Sequence, residues 1–152
     1  MAGKSDYLEN GLLLLIFNGT PLGTLADNDA AAPTTNFYVS LHTADPTDTG
    51  NPTASEVTTG QYVEYARVAV VRTSGGWTVT GDTVVPAAPI VFATTGSGGS
   101  GCTVTHFAVG AAASGATPVF LYSGTVVPSM VIPAATAGTI PTLTVQSTIT
   151  EA

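Results

Sequence analysis

An all-β domain, sandwich or barrel-like, with one short N-terminal α-helix is the fold this sequence predicts. Three observations carry that reading. After residue 35 the chain divides into seven to nine short runs in which apolar and polar residues alternate, separated by Gly and Pro. Only residues 5–17 show a helical period. Charged residues make up 9% of the chain, against about one quarter in an ordinary soluble domain. Small and β-branched residues take their place, which suits a rigid β-structure that hides surface against copies of itself or a larger lattice. The length of 152 residues fits one domain, 1–152, with the helix at 5–17 and the β-domain at 36–150.

The helix is argued first. Asp6 with Glu9 three residues on is an N-terminal capping pattern, favoured by the helix dipole. Leu8, Leu12, Leu15 and Ile16 fall on one face, and Leu13 and Leu14 make the second half apolar nearly all round. Asn18-Gly19 supplies the stop. The apolar run 12–17 is too short to span a bilayer, and the acids before it are wrong for a signal peptide. Neither export nor membrane insertion is expected.

Residues 22–35 read as a polar, Ala-rich connection. Residues 36–41 form a strand, and 44–60, with its Pro and Gly, form a long loop. Residues 61–71 read as a longer strand whose hairpin partner, across Ser74-Gly75-Gly76, is 77–80. A short buried strand follows at 90–93, then the Gly/Ser segment 94–101, which has the chemistry of a flexible linker and suits a surface loop. Strands at 103–109 and 118–123, a short one at 129–132 and a half-exposed one at 143–149 complete the chain.

Composition also limits function. Ten carboxylates face three cations, Lys4, Arg67 and Arg72, for a net charge of −7. Nucleic acid and anionic membrane surfaces are poor partners for such a chain. Cys102 has no partner for an internal disulfide and reads as a small buried hydrophobe. His42 and His106, with Asp45 or Glu56, supply the residue types of a two-His, one-carboxylate metal site, but at no diagnostic spacing. The simpler reading is that each imidazole satisfies loop backbone, with His42 fixing the turn before Pro46. No nucleophile motif is present, so no enzyme, cofactor or metal is expected. Arg67 should pair with Glu56, Asp45 or Glu64 and pin the long loop to the sheet, or else reach across a subunit interface. Tyr62, Tyr65, Trp77 and Tyr122 fit core or cross-strand pairs better than a glycan platform.

Several segments occur in a familiar order. They are Ser5-Asp6-Tyr7-Leu8-Glu9-Asn10, Tyr38-Val39-Ser40-Leu41-His42-Thr43-Ala44-Asp45-Pro46, Glu56 and Tyr65-Ala66-Arg67. Ile90-Val91-Phe92, Val104-Thr105-His106-Phe107 and Leu121-Tyr122-Ser123-Gly124 follow. In this order the chain resembles a family of small tailed-bacteriophage virion proteins, often labelled tail fibre or minor structural proteins. Residues 12–17 are more apolar than that family's helix, and 22–35 resemble an insertion. The resemblance implies a structural component of the virion, made in the host cytoplasm. The short chain has no fibrous repeat and no coiled-coil shaft, which favours a capsid cement or decoration protein on the exterior. Its partners would then be the major capsid protein and copies of itself, as a trimer. The alternative is a tail fibre or other tail-associated protein with receptor contact. The interface residues expected are Leu8, Leu12, Leu15 and Ile16 on the helix, with Asp45, Glu56 and Arg67 around the loop.

Overall fold

The computed structural model describes residues 6–21, 34–47, 51, 53–116, 120–144 and 149–150. The connection 22–33, Asp48, Val145 and the side chain of Leu8 therefore lie outside what is described. Among the described residues one helix, α1 (Asp6–Asn18), precedes nine strands. These are β1 (Asn36–His42), β2 (Val68–Val71), β3 (Trp77–Thr80), β4 (Thr83–Pro86) and β5 (Ile90–Val91). β6 (Cys102–Gly110), β7 (Phe120–Ile132), β8 (Thr142–Leu143) and β9 (Ile149–Thr150) follow. All pairings are antiparallel, in sheets ordered β2-β1-β6-β7, β3-β4-β9 and β5-β8. The fold is thus all-β with one helix.

The four-stranded sheet turns one face to the core. Phe37, Val39 and Leu41 of β1 and Val104, Phe107 and Val109 of β6 are buried on it. The register sets Val39 opposite Val109 and Leu41 opposite Phe107. The strand period of two then sends Ser40, His42, His106 and Ala108 to the other face. Helix α1 and the three-stranded sheet cover the core face. Phe17 is the plug: its ring lies 5.3 Å from Phe37, 4.9 Å from Trp77 and 5.5 Å from Tyr122. Edge-to-face packing of this kind adds to the area that four large rings remove from water.

The helix buries a different face from the one its spacing predicts. Leu13 and Phe17 are fully buried, and Ile16 packs against them. Leu12 and Leu15 are only half-buried. An apolar run leaves the choice of face to tertiary packing, and here the large ring of Phe17 fills the space beside Trp77. The C-terminus of α1 carries no basic residue of its own. Gly19, at φ 66°, turns the chain, and Arg72 from the end of β2 supplies the missing cation. Its Nη2 donates to the Leu15 carbonyl at 2.6 Å and its Nε donates to the Ile16 carbonyl. The guanidinium also lies 5.9 Å from the Phe37 ring centroid. A cation at the negative end of the helix satisfies carbonyls that have no intrahelical partner.

Three strand boundaries differ from expectation. Residues 61–67 turn and run extended, and the strand begins only at Val68. The hairpin partner of β3 is β4, not β2. Thr80 faces Thr83 across the two-residue turn Gly81-Asp82, with Gly81 at φ 61°, a left-handed conformation that glycine adopts freely. The expected strand 143–149 is divided between β8, which pairs with β5, and β9, which pairs with β4. By contrast, 129–132 joins the preceding run to make the thirteen-residue β7.

The Gly/Ser segment 94–101 is anchored rather than loose. The Ser100 and Gly101 amides donate to the Gly60 and Gln61 carbonyls. Thr95 is buried and bonds Thr136 and Thr139 through its hydroxyl. A Cβ on Gly99 would stand 2.5 Å from the Gln61 carbonyl oxygen. The glycine therefore permits close approach of two backbones, a different use from flexibility.

Phe17→Ala should cost about 3–5 kcal/mol, read as a lowered urea midpoint. Arg72→Lys should lose most of what Arg72→Ala loses in the same assay, because an ammonium cannot bridge two carbonyls as the guanidinium fork does.

Candidate functional site

Strand β1 changes neighbour halfway along one edge. Asn36 to Val39 pair with β2. Beyond that point the segment around Glu56 takes over. The Val57 amide donates to the Leu41 carbonyl, the Thr43 amide donates to the Ser55 carbonyl, and His42 and Glu56 form a single antiparallel bridge. The amide of Leu41 finds a side chain instead of a strand and donates to Tyr65 Oη at 3.0 Å. The long loop expected at 44–60 is thus tied to β1 by one isolated bridge.

Three side chains close this junction. Tyr65 Oη donates to Glu56 Oε1 at 2.9 Å. Arg67 grips the same carboxylate with both arms of its fork, Nε to Oε1 and Nη2 to Oε2, each at 2.7 Å. Nη1 and the second hydrogen of Nη2 reach the loop after β6, donating to the Ala112 and Gly115 carbonyls at 3.0 and 2.9 Å. The Arg67 side chain is 5% exposed and that of Glu56 13%. Hydrogen bonding to Glu56 is the main cause that raises the guanidinium pKa, against desolvation. Burial, followed by the Glu56 charge, pushes the Tyr65 phenol far above its ordinary value. Tyr65 therefore stays a neutral donor.

His42 completes the junction. Its ring is fully buried on the outer face of β1. A carbonyl only accepts, so Nδ1–H donates to the Ala54 oxygen at 2.8 Å. Nε2 then accepts from the Ser40 hydroxyl at 2.9 Å. The neutral imidazole is thereby satisfied on both sides. Burial lowers its pKa below the ordinary 6.5. The neighbouring charges act in opposite senses, Glu56 raising it and Arg67 and His106 lowering it.

A cleft of about 400 Å³ opens above the ion pair, walled by Val57, Thr58, Thr59, Ala66, Ser114 and Gly115. The carboxylate at its floor accepts three hydrogen bonds from within the chain. The arrangement works as a clamp on two loops.

Of the residues singled out from sequence, the structure brings Glu56 and Arg67 together. His42 lies beside Glu56 and opposite His106. Asp45 stands apart, accepting the Thr47 amide at 2.8 Å in a local turn. His106 Nδ1 lies 2.9 Å from the Thr105 hydroxyl. Among the described residues no three of His, Cys, Asp and Glu gather as metal ligands. Trp77 and Tyr62 are core residues. Cys102 is half-buried, and burial pushes its thiol pKa up. No helix among the described residues is long and apolar enough to cross a membrane. Sequence reasoning missed two roles, those of Tyr65 as substitute strand partner and Arg72 as helix clamp. Only the scarcity of cations pointed toward the second.

A family model described as Podophage GP4 fiber I protein gp80 matches residues 3–148. Among the curated proteins none matches the chain.

Removing one partner of a nearly buried ion pair leaves the other uncompensated. Arg67→Met should therefore cost about 3–5 kcal/mol. The double variant Arg67→Met, Glu56→Leu should recover part of that loss in the same denaturation series. The His42 shift also has a sign. With a depressed folded pKa, the imidazole contributes stability that is present above pH 6.5 and lost as pH falls toward its folded value. Melting temperature should hold steady above pH 6.5 and decline below it, and His42→Gln should flatten that part of the profile.

Proposed function

The chain belongs to the family of the podophage GP4 fibre I protein gp80, and on that footing we propose that it is a subunit of the phage fibre or tail apparatus that works by contact rather than catalysis. The family places it among virion structural proteins. The match over residues 3–148 is the observation that carries the finer placement, since the family's description names a fibre. A shell-coating cement protein is the second reading. It rests on the absence of a fibrous repeat in the sequence alone.

Physical features support a contact role for either placement. The clamp at Glu56 and Arg67 and the anchored Gly/Ser segment hold surface loops fixed, which reduces the entropy lost when they meet a partner. The surface carries few charges, so contacts are decided by shape and apolar area more than by ion pairs. Partners in this reading are tail proteins and further copies of the chain, with the major capsid protein as the partner under the second reading.

Copy number per purified particle separates the placements. Quantitative mass spectrometry against the major capsid protein should give a few copies per particle, and immunogold label should collect at the tail. A ratio approaching one, with label over the shell, would replace the fibre reading with the cement reading.

A further inference from the structure

Among the described residues, strand β7 ends the four-stranded sheet and no strand pairs with its other edge. Its exposure alternates: Leu121, Ser123, Thr125 and Val127 are exposed, while the residues between them are at least half-buried. Val131, further along, is exposed as well. Leu121 is 46% exposed, Val127 77% and Val131 65%, an unusual load of open apolar surface for one strand. The register explains Val127. Val104 faces Met130 and His106 faces Thr125, so the single residue Thr105 stands opposite four residues of β7. The strand bulges there and pushes Val127 outward as a knob.

Edge strands are ordinarily guarded by lysine, inward-pointing charge, proline or a bulge. Here the guard is Pro128 and the bulge, and none of the four strands of this sheet carries an Asp, Glu, Lys or Arg. The bulge disfavours a long backbone ladder with a neighbouring strand, but it presents apolar side chains instead of hiding them.

The charge distribution decides what covers this row. The chain is acidic, at −7, and its two described arginines are engaged within the fold, one on Glu56 and one on the helix end. Copies meeting through regions rich in carboxylates would repel. Copies meeting through β7 bring no carboxylate of this sheet together. A charged partner, of either sign, finds nothing on the row to pair with. We propose that the outward row of β7, centred on Leu121, Val127 and Val131, is the surface through which copies of this chain bind one another. This deepens the fibre reading by naming a contact within the assembly and rests on that reading for its purpose, but the contact can be measured on the purified chain.

The experiment is sedimentation velocity with light scattering on the full chain across a wide concentration range. It compares wild type with Val127→Lys, Val131→Lys and Leu121→Glu, and uses Ile140→Lys, an exposed apolar site off the row, as control. Wild type and the control should form one defined oligomer. Each β7 variant should weaken association by roughly tenfold or more, with the circular dichroism spectrum of the folded chain unchanged. Three variants spread along the strand guard against one that fails to fold. A wild type that stays monomeric throughout overturns the proposal, as do folded β7 variants that associate like wild type. Incorporation of wild type into particles, measured separately, tests the fibre reading: a self-associating chain absent from particles fails that reading alone.

Discussion

The central strand of the main sheet has too little neighbour, and much of the molecule follows from repairing that. β1 runs seven residues, while β2, on one side of it, runs only four. The backbone groups past Val39 need partners, because an unpaired buried amide costs about as much as a lost hydrogen bond. The chain meets this need with the segment around Glu56 and with the phenol of Tyr65. Those substitutes are loop elements and must themselves be held. Arg67 precedes the first residue of β2, so one side chain ties the substitute neighbour to the true one. Its other arms fix the loop after β6 in the same act.

Scarcity of charge makes such economy necessary. With three cations in 152 residues, each arginine serves several segments. Arg67 joins three stretches distant in sequence. Arg72 binds the end of α1 and rests near Phe37, so the helix is held at its polar end by hydrogen bonds and along its side by Phe17. The two arginines act at opposite ends of the short strand β2. That strand therefore lies between the helix end and the clamp, although it is itself among the least buried elements.

The sequence made some of this legible. The helix and its Gly19 stop, the strand at 36–41 and the strand around Val104 to Val109 follow from residue period and turn chemistry, and the arithmetic of charge gives Arg67 a carboxylate partner, with Glu56 one of three candidates. The rest was hidden for identifiable reasons. An all-apolar helix does not declare which side is inward, so its spacing points to Leu12 and Leu15 while the structure buries Leu13 and Phe17. The Gly81-Asp82 turn between two alternating runs is a legible hairpin signal, but the glycines at 75 and 76 masked it. Gly76 instead lets the backbone approach Val71, whose carbonyl oxygen would be 2.1 Å from a Cβ there. The phenol of Tyr65 as a strand partner leaves no trace in periodicity. Nor does the register of a bulged strand, so the sequence pattern suggests two short strands, 118–123 and 129–132, where β7 is continuous.

The bulge in β7 carries the remaining argument. A sheet edge that is long, uncharged and apolar is a hazard for a chain that works alone, since every neighbouring copy is a template for pairing. Pro128 and the bulge bend the edge and interrupt the ladder that uncontrolled stacking would need. For the proposed self-contact they leave one shape and one set of side chains. A small repeating component of a particle has opposed requirements, firm association with its neighbours and no growth into an open sheet. In the proposed self-contact, an edge that denies its backbone but offers Val127 and Val131 meets both.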